Sequence, residues 1–201
     1  MPMLVARLLE ASIPGMQVKA DALAFGGASL AAHWNRGEVQ KRLAAQKWNA
    51  VVLQDQSTRP LRALSSMQKY VRRFVDEIQA VGAKPYLYMP WARKHAPASL
   101  ANIVTAFQGL AEVTGAGIIP VGLAWDQFRR LGPAIDLYEP DGSHPSAIGS
   151  YLAACAHVFS FADIDAVSDG AVETHLSAID LKLLHEICRT TARADKTFRS
   201  S

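Results

Sequence analysis

An aspartate and a histidine lie three residues apart in a short Gly/Ser/Pro-rich stretch, Asp141-Gly142-Ser143-His144-Pro145. A carboxylate beside an imidazole can fix the tautomer of the ring and stabilise its protonated form, and imidazole titrates near neutral pH. The stretch therefore predicts a general acid–base pair. The alternative is a turn aspartate with a histidine bonded to backbone. A helix of small and apolar residues predicted at 146–160 would anchor this loop.

The elements that must position this pair alternate between strands and helices. The apolar run Ala50–Gln54 is typical of a parallel strand buried on both faces. The alternation predicts an α/β fold with a parallel sheet whose carboxyl edge binds ligands. Strands are predicted at 17–25, 50–54, 85–90 and 117–122, and helices at 3–11, 29–47, 61–81, 99–114, 125–131, 146–160 and 177–192.

Three further loops bring polar groups to that edge. The turn Gly26–Ser29 could cradle an oxyanion with backbone N–H groups, and a turn glycine with a Ser29 helix cap explains it equally well. The loop Gln54–Ser57 carries amides that could donate to an oxyanion, the alternative being solvated loop polarity. Trp91 and Arg93 could contact substrate, or could be a structural aromatic and a surface base.

Composition narrows the class of protein. The chain has 201 residues, of which 50% are hydrophobic and 19% charged, as expected for one globular domain. The net charge of +3 is dispersed along the chain, so we expect no nucleic-acid partner. No apolar run approaches the ~18 residues of a membrane span, so we expect no membrane partner.

Cysteine and histidine positions argue against a metal site. Cys155 and Cys188 lie among apolar neighbours at helical spacing, which predicts two buried thiols. No His or Cys pair has metal-ligand spacing, so we expect neither a metal nor another cofactor.

Three stretches resemble blocks of the SGNH (GDSL-like) hydrolases. Asp141–Pro145 is similar to the last block, where Asp and His belong to a Ser-His-Asp triad. Ala24–Leu30 is similar to the second block, which implies that Gly27 donates a backbone N–H to the oxyanion hole. Val51–Ser57 is similar to the third block of a divergent, Gln-rich branch, with Gln56 at the position of the family's oxyanion Asn.

The resemblance covers about residues 3 to 160 and implies a three-layer αβα, flavodoxin-like fold. We expect the domain to span residues 1–162, with a linker and a C-terminal helix at 163–201 packing on it. The resemblance also implies an esterase that acts without a metal on a small ester, such as an acetylated carbohydrate.

One departure concerns the nucleophile. In this family the serine lies in a G-(D/N)-S motif between the first strand and the first helix. Here the sequence goes from Met1 directly into a predicted helix, so we expect the first strand and its serine to be missing. The loss of an inner strand would leave backbone groups unpaired at about 1–3 kcal/mol each, so we expect compensation by a homodimer, strand exchange or closure of neighbouring strands.

The resulting hypothesis is an SGNH-type esterase that is inactive as given, because its start was placed too late or the chain is truncated. A non-catalytic ligand-binding or assembly protein on the same fold is the alternative. A hydrolase using Ser29 or Ser57 as nucleophile is a third. The sequence as given predicts a cytoplasmic protein, and an incomplete N-terminus would leave secretion or a periplasmic location open.

Overall fold

The computed structural model describes residues 1–131, 135–168 and 174–200, with side chains left out from residue 195 onward. The chain divides into two compact units, one made of residues 23–90 and 98–119, the other of residues 1–22, 91–97 and 120–201. The described helices and strands are α1 (Pro2–Ser12), α2 (Leu30–Arg36), α3 (Glu38–Ala45), β1 (Ala50–Leu53), α4 (Arg59–Arg62), α5 (Leu64–Ala80), β2 (Lys84–Tyr88), α6 (Leu100–Thr114), β3 (Gly117–Ile119), α7 (Val121–Leu131), α8 (Ala147–Phe161) and α9 (Ala178–Ser200).

The first of these units contains the sheet. Its strands are all parallel in the order β1-β2-β3, and the register pairs Val52 with Tyr86 and Tyr86 with Gly117. Helix α5 packs against β1 and β2 through its buried face, which includes Phe74 and Ile78, and α6 packs against β3. The predicted α/β class with a parallel sheet is confirmed.

The strand predicted at 17–25 is not formed. These residues follow an alternating pattern, yet no described strand pairs with them. A strand needs a neighbour for its N–H and C=O groups, so the pattern alone cannot create one. Within the described residues β1 pairs only with β2, and the compensating homodimer stays a prediction.

Several predicted boundaries also shift. The single helix expected at 29–47 is two helices, because Gly37 adopts the left-handed conformation (φ 67°) and ends α2 with an N–H bond to the Trp34 carbonyl. Strand β3 ends at Ile119, and α7 begins at Val121 instead of Trp125. The linker predicted at 163–172 lies partly outside the described residues.

The second unit is built around α8, which contacts α1, α7 and α9. Every residue of α8 from Tyr151 to Ser160 is buried, as its small and apolar sequence predicts. Cys155 on α8 and Cys188 on α9 are both buried, which confirms the sequence interpretation. Among the described residues no helix is both long enough and apolar enough to cross a membrane.

The start of α8 is packed too closely for any side chain at Gly149. A Cβ there would overlap the carbonyl oxygen of Leu137 and lie 2.6 Å from the indole of Trp125. Overpacking of this kind forces backbone shifts. We therefore expect Gly149→Ala to lower the free energy of unfolding by about 3 kcal/mol in urea titrations.

A matched control for this substitution is Gly109→Ala on α6, where a new Cβ meets nothing within 4 Å. A helical Gly→Ala change in open space should be neutral or stabilising by up to about 1 kcal/mol. Equal stability of the Gly149→Ala and wild-type proteins would contradict the packing described for α8.

Candidate functional site

Asp141 and His144 form a hydrogen-bonded pair. The ring Nδ1 of His144 lies 2.5 Å from Oδ2 of Asp141. The other carboxylate oxygen accepts the backbone N–H groups of Ser143 and His144, each at 2.9 Å. Because Nδ1 is held by the carboxylate, the proton-accepting position of a neutral ring is Nε2. The His144 side chain is 78% exposed, so the ring is open to an incoming group.

The same hydrogen bonds stabilise the ionised form of Asp141. The His144 ring, followed by the N–H groups of His144 and Ser143, lowers the pKa of Asp141 from 3.8 to about 2. The carboxylate is therefore charged at every pH at which an imidazole could act as a base.

This shift predicts how the loop responds to acid. Because the folded-state pKa is the lower one, the stability that Asp141 contributes is present above pH 3.8 and is lost as the pH falls through about 2. Carbon-13 NMR of the Asp141 carboxyl group should give a midpoint near 2. His144→Ala should raise this midpoint only partly, because both backbone N–H donors remain. An ordinary midpoint in the wild type would contradict the hydrogen-bond geometry.

The loop carrying the pair is closed at both ends. The Glu139 N–H donates to the His144 carbonyl at 2.8 Å, and the Gly142 N–H donates to the Glu139 carbonyl at 2.9 Å. Gly142 adopts φ +64°, a conformation that favours glycine. After the loop, Ser146 caps α8 by accepting the Gly149 N–H at 3.1 Å. The pair is thus held between a tight turn and a capped helix.

The segment after β2 supports this loop. Trp91 Nε1 donates to the Ser143 carbonyl at 3.0 Å, and the Lys94 N–H donates to the Gly142 carbonyl at 2.9 Å. The Trp91 ring stacks on Trp125 with centroids 4.0 Å apart, and Trp125 is 1% exposed. Trp91 therefore has a structural role beside His144. Contact of Trp91 or the exposed Arg93 with substrate stays a prediction.

The Gly26–Ser29 turn precedes α2 in the other unit. Gly27 has φ +69°, and its N–H donates to no other residue within the described ranges. The Ser29 hydroxyl accepts the Ala32 N–H at 3.3 Å, so the cap role considered from the sequence is present. The turn therefore presents the Gly27 N–H as a donor, whereas Ser29 serves as the N-cap of α2.

The loop after β1 is tied to the same turn. Asp55 Oδ1 accepts the N–H of Leu30, the first residue of α2, at 3.0 Å and the N–H of Gln56 at 2.8 Å. The Gln56 side-chain oxygen accepts both the N–H of Thr58 at 3.0 Å and its hydroxyl at 2.8 Å. The sequence interpretation counted Asp55 with the two amides as a sign of function in this loop but gave neither Asp55 nor Thr58 a role of its own.

The structure thus brings the candidate residues together in two groups. Asp141 and His144 lie in the unit of residues 1–22, 91–97 and 120–201, whereas Gly27 and Gln56 lie in the other unit. Across the part of the chain that the structure describes, no cluster of three His, Cys, Asp or Glu side chains could hold a metal ion.

Comparison with known proteins identifies the fold. No family model matches the chain, and no curated protein sequence matches it significantly. A candidate SGNH hydrolase from Slackia heliotrinireducens is similar in structure with a TM-score of 0.62 and 29% identity, over 68% of this chain and 81% of that protein.

Two structures with lower sequence identity are similar to this chain in fold only. A DUF4886 family protein from Bacteroides uniformis has a TM-score of 0.68 at 19% identity, over 83% of this chain and 80% of its own. TesA has a TM-score of 0.50 at 19% identity, over 66% of this chain and 73% of its own. With a parallel sheet and helices packed around it, this chain has the SGNH-like fold that its Asp141–Pro145 block predicted.

Proposed function

We propose that the protein is an SGNH-type serine hydrolase that cleaves a small ester, such as an acetylated carbohydrate. The observation that carries this proposal is the Asp141–His144 pair, in which a carboxylate 2.5 Å from Nδ1 leaves Nε2 of an exposed ring as the base. The fold shared with the Slackia protein supports the class of reaction.

In the proposed reaction a serine oxygen attacks the ester carbonyl carbon while His144 Nε2 accepts the hydroxyl proton. The tetrahedral intermediate then expels the alcohol, which takes that proton from His144, and an acyl-serine remains. Water attacks the acyl group with His144 again as base, which releases the acid and restores the serine. Asp141 holds the ring in the required tautomer throughout.

We assign stabilisation of the oxyanion to Gly27 and Gln56. The Gly27 N–H has no acceptor among the described residues, and the Gln56 amide presents its nitrogen away from Thr58. One such donor is worth about 3 kcal/mol in the transition state. Together the Gly27 N–H and the Gln56 amide would form an oxyanion hole from hydrogen-bond donors alone.

The proposed reaction needs a serine as nucleophile. Ser29 is a poor candidate for this role because its hydroxyl accepts the Ala32 N–H at the start of α2.

Hydrolysis of p-nitrophenyl acetate by this chain and by an N-terminally extended form tests the proposal. Activity in either form that is lost in His144→Ala is the expected result. Absence of activity in both forms would contradict the esterase and favour a ligand-binding or assembly protein. Activity of residues 1–201 that disappears in Ser29→Ala or Ser57→Ala would identify that serine as the nucleophile.

A further inference from the structure

The orientation of the Gln56 side chain is determined by its neighbour. The atom of the amide that faces Thr58 lies 3.0 Å from the backbone nitrogen and 2.8 Å from the hydroxyl of that residue. A backbone N–H can only donate, so the amide atom facing it must be the carbonyl oxygen. Nε2 therefore points away from Thr58, and it donates to no other residue in the described part of the chain.

The backbone of Gln56 is fixed as well. Its N–H donates to Asp55 Oδ1 at 2.8 Å, and the same oxygen accepts the N–H of Leu30 at 3.0 Å. Asp55 is 8% exposed, so water competes little for these bonds. Gln56 is thus held at its main chain by Asp55 and at its amide oxygen by Thr58, which leaves the amide nitrogen as its one uncommitted donor.

We propose that Thr58 is a positioning residue that commits Gln56 Nε2 to the oxyanion of an ester's tetrahedral intermediate, an inference that rests on the proposed function. A freely rotating amide would present its oxygen as often as its nitrogen, and an oxygen there would repel the oxyanion. Fixing the amide beforehand removes the cost of orienting the donor during the reaction.

Thr58→Val and Thr58→Ser form a matched pair for testing this role. Valine keeps the branched shape and the backbone N–H but removes the hydroxyl, whereas serine keeps the hydroxyl. The Thr58 side chain makes no capping bond to α4, so neither change removes a helix cap. Both variants should fold like the wild type.

The structural arm of the test is NMR of the Gln56 side-chain NH₂ group, assigned by its loss in Gln56→Glu. The wild type and Thr58→Ser should show an ordered NH₂ group with a large heteronuclear NOE, and Thr58→Val should show a reduced NOE. An equally ordered NH₂ group in Thr58→Val would overturn the proposal. This measurement does not depend on any enzymatic activity.

The kinetic arm uses the form of the protein that hydrolyses p-nitrophenyl acetate. Because the bound ester carries no oxyanion and the charge develops only as the tetrahedral intermediate forms, Thr58→Val should lower kcat about tenfold with KM unchanged, and Thr58→Ser should retain kcat. A Thr58→Val enzyme with a mobile amide and full kcat would overturn the positioning role while leaving the esterase intact. Absence of hydrolysis in every form would instead remove the proposed function.

Discussion

Replacing His144 with alanine should lower kcat/KM for a small ester by about 10³–10⁴-fold without unfolding the protein. The substitution removes the proposed base and leaves only binding and oxyanion stabilisation. The His144 side chain is 78% exposed, so its loss creates no cavity, and the backbone bonds that close the loop remain. Initial rates with p-nitrophenyl acetate measure the loss of activity, and a thermal melt of each variant shows whether it remains folded.

His95→Ala is the matched control, since His95 is another exposed histidine of the same unit. It should keep wild-type activity. A fall of less than tenfold in His144→Ala, or an equal fall in both variants, would contradict the role of His144.

Asp141→Asn should cost about 10³–10⁴-fold in kcat/KM, nearly as much as loss of the histidine. Asparagine can keep one oxygen on the N–H groups of Ser143 and His144, so the loop should hold its shape. The atom facing His144 Nδ1 then becomes an NH₂ group, which donates instead of accepting. The neutral ring must place its proton on Nε2, and it can no longer accept the proton of the nucleophile.

Nitrogen-15 NMR of the His144 ring checks this explanation directly. The wild-type neutral ring should carry its proton on Nδ1, and the Asp141→Asn ring on Nε2. Asp136→Asn is the control, because Asp136 is another exposed aspartate and its ion pair is with Lys94. An Asp141→Asn enzyme with an unchanged tautomer and wild-type rates would show that the carboxylate does not orient the ring.

The acid–base pair was predictable because its geometry is local. Asp141 and His144 are three residues apart, and the glycine between them permits the turn that brings their side chains together. The parallel sheet was predictable for a related reason, since the apolar run Ala50–Leu53 is typical of a parallel strand. The burial expected on both faces was wrong, because only Leu53 of this strand is buried and the other three residues are half-buried. A structural feature that depends on one short segment can be predicted without knowledge of the rest of the fold.

The features that sequence reasoning missed depend on partners elsewhere in the fold or on atomic orientation. Trp91 and Trp125 stack although 34 positions separate them, and neither neighbourhood indicates the other. The alternation of apolar and polar residues at 17–25 predicted a strand that is not formed. Such a pattern shows that a segment could form a strand, but not that another strand lies beside it to pair with. The orientation of the Gln56 amide towards Thr58 can be known only from the three-dimensional structure.

The proposed role of the Asp141–His144 pair is to activate a serine for attack on an ester. A p-nitrophenyl phosphonate ester forms a stable adduct with such a serine, and peptide mass mapping locates it. We expect one labelled serine other than Ser29, with labelling slowed at least about 100-fold in His144→Ala. Labelling at Ser29, or labelling at a rate independent of His144, would contradict the proposal.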